Sequence, residues 1–419
     1  MADVDQLARR LGLRDAVVIG LGSMLGAGVF VAYAPAAAAA GSWLLLALAV
    51  AALVAYANAI ASARLAALYP QSGGTYVYGR ERLGPFWGYL AGWAFVAGKL
   101  SSCAAMAWAI GVYVWPEQAR WVAVGAVLLV ATISYRGITK SALVTRVIVG
   151  VVVTVLVVAS ALLLGTAPAT AAPLGDAIVV GPAGVLTAAG FLFFAFAGYA
   201  RIATLGEEVV DPQRTIPRAV PLALGVTVVL YALVAVALLR SRGADVVATD
   251  QAPLAAAVAA TGWAWAEPTV RVTATLAAFG SLLGMLLGVS RTGLAMARDR
   301  HLPPGLAAVH PRYRVPHRAE LAAAGVVVLL LLVGELVTAI SFSSVCVLTY
   351  YAIANASART LPVRSRLDRV LPLVGIVGCV VIAAFQPLAT VLTAAAVLVF
   401  GAVVYALRHP HGRAEAGAG

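Results

Sequence analysis

The chain has 419 residues, of which 62% are hydrophobic and 11% are charged, and its mean hydropathy is +0.96. Soluble domains contain roughly 45–50% apolar and about 25% charged residues, so this composition excludes a soluble globular protein and indicates one that lies in lipid. The net charge of +12 raises the question of nucleic acid binding, which the positions of the basic residues decide.

Apolar runs of about 20 residues, each long enough to cross ~30 Å of hydrocarbon as a helix, recur along the whole chain. They predict an all-α polytopic membrane protein with about twelve transmembrane helices. The predicted spans lie near 15–37, 42–67, 85–113, 121–137, 143–165, 183–204, 218–239, 270–298, 319–333, 337–357, 370–386 and 388–407. Residues 15–407 then form a single membrane domain between an N-terminal tail at 1–14 and a C-terminal tail at 408–419.

The basic residues are distributed unevenly between the two sides of these spans. With the N-terminus inside, all but five of the 29 Lys and Arg residues fall on the cytoplasmic side. Lys99 lies within a span, and the four outside are Arg120, Arg240, Arg242 and Arg271. Basic residues concentrate in cytoplasmic loops of membrane proteins. We therefore predict a multi-pass protein of the plasma (cytoplasmic) membrane, with both termini in the cytoplasm and no nucleic acid partner.

Glycines interrupt the first and the sixth predicted spans, which lie five spans apart. They are Gly20, Gly22, Gly26 and Gly28 in the first span, and Gly190 and Gly198 in the sixth. Carriers built from inverted repeats have broken helices at corresponding positions of their two halves. The offset therefore predicts two five-helix repeats, helices 1–5 and 6–10, followed by two additional C-terminal helices.

The glycines suggest a binding site, because glycine lets a helix unwind and so frees backbone N–H and C=O groups. Inside a membrane such unpaired groups occur only where they line a cavity. A half-helix N-terminus attracts an anion and a carbonyl end attracts a cation, so paired breaks suit a zwitterion. Spacing alone leaves open that Gly22 and Gly26 form a close helix-packing face. The spacing of Gly20, Gly22 and Gly26 also imitates a dinucleotide-binding loop, but no β-strand pattern precedes it and no acid follows at the ribose distance, which excludes that site.

Four segments carry distinctive patterns in order along the chain. They read G-A-G-V-F at 26–30, Y-P-Q-S-G-G-T-Y-V-Y at 69–78, E-E-V-V-D-P-Q-R-T-I-P-R-A at 207–219, and S-R, M-A-R-D and L-P between 290 and 303. Together they resemble the amino acid–polyamine–organocation permeases, and the third segment is the most specific. The resemblance covers nearly the whole chain and implies the LeuT-type fold and a secondary active transporter that works by alternating access.

The same resemblance implies a substrate site at the two breaks. The substrate carboxylate would meet backbone N–H groups around Ala27 and Gly28, and its ammonium would meet carbonyls near Met24, Phe194 and Phe196. Phe194 would lie over the substrate as an aromatic gate, against the simpler interpretation of ordinary helix packing. The predicted substrate-binding residues are Met24, Leu25, Gly26, Ala27, Gly28, Phe194, Phe196, Ala197 and Gly198.

Two features are predicted to serve coupling or gating. Glu207 and Glu208 begin a charged, proline-bearing segment that we expect to shape the inner gate rather than to bind substrate. Lys99 lies about 14 residues into the third span, ~20 Å from its inner end at 1.5 Å per residue, too deep to snorkel. A charge at midplane costs at least ~2.5–3.5 kcal/mol, which marks a functional candidate. Lys99 could act as a proton-coupling group or as a fixed ammonium in place of sodium, and the plainer alternative is a lysine satisfied by carbonyls and Ser101 or Ser102.

None of the 17 acidic residues lies near the middle of a predicted span. A cationic side chain held at midplane would need a carboxylate partner, which disfavours arginine, lysine and polyamines as substrates. Relatives often carry an acid where Ala200 stands and a lysine where Val152 stands, so the usual coupling schemes are in doubt. Sodium would need hydroxyls such as those of Ser281 or Ser290.

No catalytic constellation, cofactor or metal site is predicted, since the five histidines lie outside the spans and the three cysteines lie within them as apolar core residues. The leading hypothesis is proton-coupled uptake of a neutral amino acid, with sodium as the other candidate coupling ion. Two further hypotheses remain: an antiporter that exchanges an amino acid for its metabolic product, and a nutrient sensor that kept the carrier fold.

Overall fold

A computed structural model of the chain describes residues 11–69, 73–137, 142–166, 181–203, 209–363 and 365–408, and these residues are almost entirely helical. The only extended pairing in this part is an isolated parallel bridge between Leu11 and Val209. The helices are α1 Leu13–Met24, α2 Gly28–Val31, α3 Tyr33–Ala40, α4 Leu44–Leu68, α5 Thr75–Leu83, α6 Pro85–Val114, α7 Ala119–Tyr135, α8 Ala142–Gly165, α9 Pro182–Phe196, α10 Ala200–Ala203, α11 Pro212–Arg242, α12 Ala244–Thr249, α13 Pro253–Ala259, α14 Ala266–Arg298, α15 His317–Val333, α16 Leu336–Arg359, α17 Arg366–Ala384 and α18 Leu388–Arg408.

Ten segments in the described part of the chain are long and apolar enough to cross a membrane. This confirms an all-helical, multi-pass membrane protein. The predicted spans 183–204 and 319–333 correspond to shorter helices, α9 with 15 residues and α15 with 17. The count of twelve helices and their division into two inverted repeats therefore stay predictions.

Ion pairs of Arg64 and Arg146 join helices that are distant in sequence at one end of the bundle, which we call the basic face. Arg64 of α4 pairs with Asp368 of α17 at 3.3 Å, and Arg146 of α8 pairs with Asp15 of α1. The Val210 N–H donates to the carbonyl of Leu11 at 2.9 Å. The predicted cytoplasmic ends of these helices are thus tied to one another by arginines and by backbone pairing.

The first and sixth predicted spans are both broken in the interior of the bundle. The first stops at Met24 and resumes at Gly28, and the sixth stops at Phe196 and resumes at Ala200. We call Leu25–Ala27 the first break and Ala197–Tyr199 the second break. The sequence prediction of two interrupted helices is borne out at these positions.

Glycines let the two breaks approach closely. A Cβ on Gly28 would lie 2.5 Å from the Cα of Ala195, and one on Gly198 would lie 2.2 Å from the Ser23 carbonyl oxygen. Real Cβ atoms do not come so near to backbone, so only glycine fits at either place. Gly22 packs against α8, where its Cβ would meet Thr145 at 3.0 Å. The helix-packing alternative therefore describes Gly22, while Gly28 and Gly198 join the breaks.

Gly28→Ala should destabilise the folded protein, because the new methyl group must displace the backbone of α9. We expect a loss of about 1–3 kcal/mol, seen as a lower thermal unfolding midpoint of the purified protein in detergent. Gly284→Ala in α14 is the matched control, since nothing lies within 4 Å of its added Cβ. It should hold or raise the midpoint, because alanine favours a helix by about 1 kcal/mol over glycine. Equal midpoints for both variants would contradict the close approach.

Candidate functional site

The first break leaves backbone donors without acceptors. The Leu25 N–H still donates to the Leu21 carbonyl at 2.7 Å, and helical bonding resumes where the Phe30 N–H donates to the Ala27 carbonyl at 3.0 Å. Between them, the N–H groups of Gly26, Ala27 and Gly28 have no hydrogen-bond partner within the described residues. All three residues are buried. The break therefore offers a row of unpaired donors in the interior of the bundle, as the sequence predicted.

Tyr231 of α11 joins the two halves of the site. Its hydroxyl lies 2.6 Å from the Met24 carbonyl oxygen and 3.0 Å from the Ala195 carbonyl oxygen, one on each side of the close approach. A hydroxyl has a single hydrogen to donate, so it bonds one of the two oxygens at a time or shares the hydrogen between them. Met24 and Ala195 carbonyls are thus held towards a common donor.

Sequence reasoning missed Tyr231. The available signal was a tyrosine near the centre of a predicted span, where a buried hydroxyl needs a hydrogen-bond partner. Two more buried tyrosines hold the same region: the Tyr33 hydroxyl donates to the Tyr231 carbonyl, and the Tyr113 hydroxyl donates to the Phe30 carbonyl, both at 2.9 Å. These tyrosines stay fixed by backbone acceptors.

Lys99 reaches the second break from α6. Its Nζ donates to the Ala197 carbonyl oxygen at 3.3 Å, and the Tyr351 hydroxyl of α16 lies 3.5 Å from the same oxygen. Lys99 is only 3% exposed, and its Nζ lies 6.0 Å from the centroid of the Phe95 ring. No ion-pair partner lies near it in the described part of the chain. Lys99 is therefore an ammonium held by one carbonyl at a helix break.

The predicted aromatic residues of the sixth span lie on the last turn of α9. Phe196 is fully buried, with its ring 5.0 Å from that of Tyr231, and Phe194 is 7% exposed. The structure thus packs Phe196 into the joint between the two breaks. The gating role of Phe194 stays a prediction.

A cavity of about 590 Å³ lies on the side of the site away from the basic face. Val31 and Phe191, from the helices that flank the breaks, line it together with Trp108, and charged residues at helix ends line its mouth. Those charged residues are Arg120, Asp250 and Glu335. Its volume falls within the range of small-molecule sites, roughly 300–1,000 Å³.

The two predicted sodium-binding hydroxyls lie in different surroundings. Ser281 lies against the first break, because a Cβ on Gly26 would be 2.1 Å from its Oγ, and that buried hydroxyl has no hydrogen-bond partner among the described residues. Ser290 instead donates to the Leu287 carbonyl of its own helix at 3.0 Å. The described residues hold no group of histidines, cysteines and acids suited to a metal ion.

The second and fourth sequence motifs meet at the basic face. The Tyr76 hydroxyl donates to the carboxylate of Asp299, which also accepts from Arg80 at 3.5 Å. Burial is the main cause that raises the pKa of Tyr76 above its usual value, and the hydrogen bond to the Asp299 carboxylate raises it further. The hydroxyl therefore keeps its proton and remains a donor. The predicted gating residues Glu207 and Glu208 lie outside the described residues.

A family model described as amino acid permease matches residues 11–411. The chain belongs to the amino acid permease family. The similarity to this family confirms the resemblance on which the predicted site residues rest.

Curated relatives of this permease are transporters. It is 60% identical over 405 residues to an uncharacterized transporter of Mycobacterium tuberculosis, covering 96% of this chain and 92% of the relative. It is 26% identical to the branched-chain amino acid permease of Bacillus subtilis, covering 75% and 72% of the two chains. It is 29% identical to a vacuolar cationic amino acid transporter of Arabidopsis thaliana, covering 76% of this chain and 57% of the relative.

Tyr231→Phe should weaken substrate binding without preventing folding. Removing the hydroxyl leaves the carbonyls of Met24 and Ala195 without their shared donor, which should lower affinity about five- to tenfold. The measurement is binding of the transported amino acid to the purified permease. Tyr113→Phe removes an equally buried hydroxyl whose acceptor lies outside the breaks, and it should change affinity little. Equal losses in both variants would assign Tyr231 to general packing.

Proposed function

We propose that this permease is a secondary active transporter that takes up neutral amino acids by alternating access. The observation that carries the proposal is the meeting of two broken helices in the bundle interior. The first break offers the unpaired N–H groups of Gly26, Ala27 and Gly28 to a carboxylate. The carbonyls of Met24, Phe194 and Phe196, at the helix ends that lead into the two breaks, are the acceptors that we assign to the ammonium of the substrate. A zwitterion carries the complementary charges.

The LeuT-type arrangement of two five-helix repeats is part of this proposal. It is supported by the positions of the breaks in the first and sixth predicted spans, which the repeat hypothesis requires. The basic face is then the cytoplasmic face of a plasma membrane, with both termini inside. The cavity lined by Val31 and Phe191 would open to the outside.

A neutral substrate is favoured by the charge of the site. Lys99 places a buried cation on the second break, and Arg201 follows that break by two residues, so a guanidinium or second ammonium on the substrate side chain would be repelled. Glu320 is also buried, but it lies on the first turn of α15 and accepts from Ser134 at 2.9 Å rather than facing the breaks. The branched-chain permease relative agrees with a neutral side chain, whereas the cationic relatives do not.

Coupling is proposed to act through Lys99. Its ammonium bonds the carbonyl of Ala197 in the second break, so a change in its protonation would alter the hydrogen bonding of a candidate substrate-binding element. Protons are therefore favoured over sodium as the coupling ion. Ser281, with its free hydroxyl against Gly26, keeps sodium as the second candidate.

The substrate proposal is tested by uptake of a panel of radiolabelled amino acids into proteoliposomes. Neutral amino acids should accumulate when an inward proton gradient is imposed, and arginine and lysine should not. Counterflow without gradient-driven accumulation would indicate an antiporter. Binding without any flux would indicate a sensor and would overturn the transport proposal.

Lys99 substitutions separate a proton carrier from a fixed cation. Lys99→Met removes the charge, and Lys99→Arg keeps a charge that is not released in proteins. If Lys99 carries the coupled proton, both variants should lose gradient-driven accumulation, by about tenfold or more, while counterflow of the amino acid continues. Retention of gradient-driven accumulation by Lys99→Arg would instead show that a permanent positive charge is sufficient. Ser101→Ala on the same helix is the control and should keep both activities.

A further inference from the structure

A second group of buried polar residues lies between the second break and the basic face. We call it the polar column, and it consists of Tyr199, Tyr351, Asn58, Asn355 and Ser62. All five side chains are at most 3% exposed. They project from the second break and from α16 and α4, in the half of the bundle that leads from Lys99 to the basic face.

The column begins at the carbonyl that Lys99 uses. The Tyr351 hydroxyl and Lys99 share the Ala197 oxygen, and the Tyr199 ring lies 5.1 Å from the Tyr351 ring. The Tyr199 hydroxyl is close to both Tyr351 and Asn58. It makes no hydrogen bond of normal geometry to either of them. The column is therefore continuous with the ammonium at the second break.

Two asparagines form its middle. The Asn355 Nδ2 donates to the Asn58 Oδ1 at 2.6 Å and to the Tyr351 carbonyl at 2.8 Å. The remaining atoms of the two amides, Asn58 Nδ2 and Asn355 Oδ1, have no partner in the described part of the chain. Gly375 of α17 makes room for this pair, since a Cβ there would lie 2.3 Å from the Asn355 Oδ1.

The column ends near the Arg64–Asp368 ion pair. Ser62 lies one helical turn beyond Asn58 on α4, and its hydroxyl also lacks a partner among the described residues. Arg64 follows two residues later and pairs with Asp368 at 3.3 Å, where both side chains are partly exposed. Ser62 thus lies between the asparagine pair and the level of this ion pair along α4.

The unpaired atoms indicate which ligand the column binds. A buried polar atom without a partner is costly, and in lipid the alternative partners are absent. If the two asparagines served only to pack helices together, both the oxygen and the nitrogen of each amide should be hydrogen-bonded. Here only one of the two atoms is bonded in each asparagine. A cation would satisfy Asn355 Oδ1 but not the donor Asn58 Nδ2. Water both donates and accepts, and it is stable where it finds two to four polar partners.

We propose that the polar column binds a chain of water molecules through which Lys99 exchanges its proton with the basic face. The proposal rests on the coupling role assigned to Lys99 under the proposed function. The water next to Lys99 accepts a proton from the ammonium, each following water passes one on, and one proton leaves near Arg64. A hydroxyl that accepts a proton from one neighbour gives its own to the next, so no atom is consumed.

The titratable neighbours of Lys99 fit a one-proton step. In the described part of the chain they are Cys103 on its own helix and Tyr351 on α16, with Tyr199 of the second break beyond Tyr351, and no carboxylate joins them. The polar column is not part of the cavity of about 590 Å³, which opens on the other side of the breaks in this structure.

The water chain itself is tested without transport, by radiolytic hydroxyl-radical footprinting and mass spectrometry of the purified full-length protein. Radicals form from bound water, so Tyr199 should be modified at least about fivefold faster than equally buried tyrosines without water contacts. Tyr33 and Tyr113 are the controls, because their hydroxyls donate to backbone carbonyls at 2.9 Å. Equal modification of all three tyrosines would overturn the proposal.

The proton path is tested in proteoliposomes that enclose a pH-sensitive dye. The double variant Ser62→Ala with Asn355→Ala, which leaves both breaks intact, should slow amino-acid-driven proton flux about five- to tenfold and leave amino acid counterflow unchanged. Ser344→Ala is the matched control, since it removes a buried hydroxyl that donates to the Gly190 carbonyl away from the column. Unchanged proton flux in the double variant, or a parallel loss of counterflow, would overturn the path.

The two measurements separate this inference from the proposed function. If the wild type moves amino acids without any proton flux, proton coupling fails whatever the column does. If the wild type shows coupled proton flux and the double variant matches it, the coupling stands and the polar column is not its path.

Discussion

Unpaired backbone groups inside a membrane must find partners, and the architecture of this permease follows from that constraint. Two helices stop in mid-bundle, and side chains from other helices bond carbonyls at these breaks. The Tyr231 hydroxyl serves the carbonyls of Met24 and Ala195, and Lys99 and Tyr351 serve the carbonyl of Ala197. The glycines follow from the same requirement, because these partners reach the freed groups only if the breaks lie against each other.

The side chains that bond the carbonyls of the breaks come from other helices, so movement of a broken helix must change these hydrogen bonds. Tyr231 lies on α11, Lys99 on α6 and Tyr351 on α16, so any shift of a break changes its hydrogen bonds to helices that are themselves continuous. A substrate that pairs with the free N–H groups of the first break would compensate for bonds lost elsewhere. Binding and rearrangement would then be linked, because the hydrogen bonds that a small ligand makes replace the few that the carbonyls of the breaks lose.

The two ends of the bundle differ in how they are closed. At the basic face, the ion pairs of Arg64 with Asp368 and Arg80 with Asp299 join helices that are distant in sequence. The other end holds the cavity whose mouth is lined by Arg120 and Glu335. This asymmetry fits one conformation of a carrier, closed on one side of its site. The polar column lies on the closed side, so the proton path that we propose does not require that side to open for an amino acid.

The sequence alone determined the helical membrane architecture, the crowded basic side and the two interrupted helices. Hydropathy, charge placement and glycine content act over one or two turns of a helix and can be read along the chain. It also marked Lys99, since a charge in an apolar run is conspicuous. The tertiary structure decided which atoms meet: Tyr231 with the Met24 carbonyl, 207 positions apart, and Asn58 with Asn355, 297 positions apart. Such partners depend on how helices rotate and pack against each other. The sequence around a tyrosine or asparagine in one apolar helix does not specify which other helix will pack against that side chain.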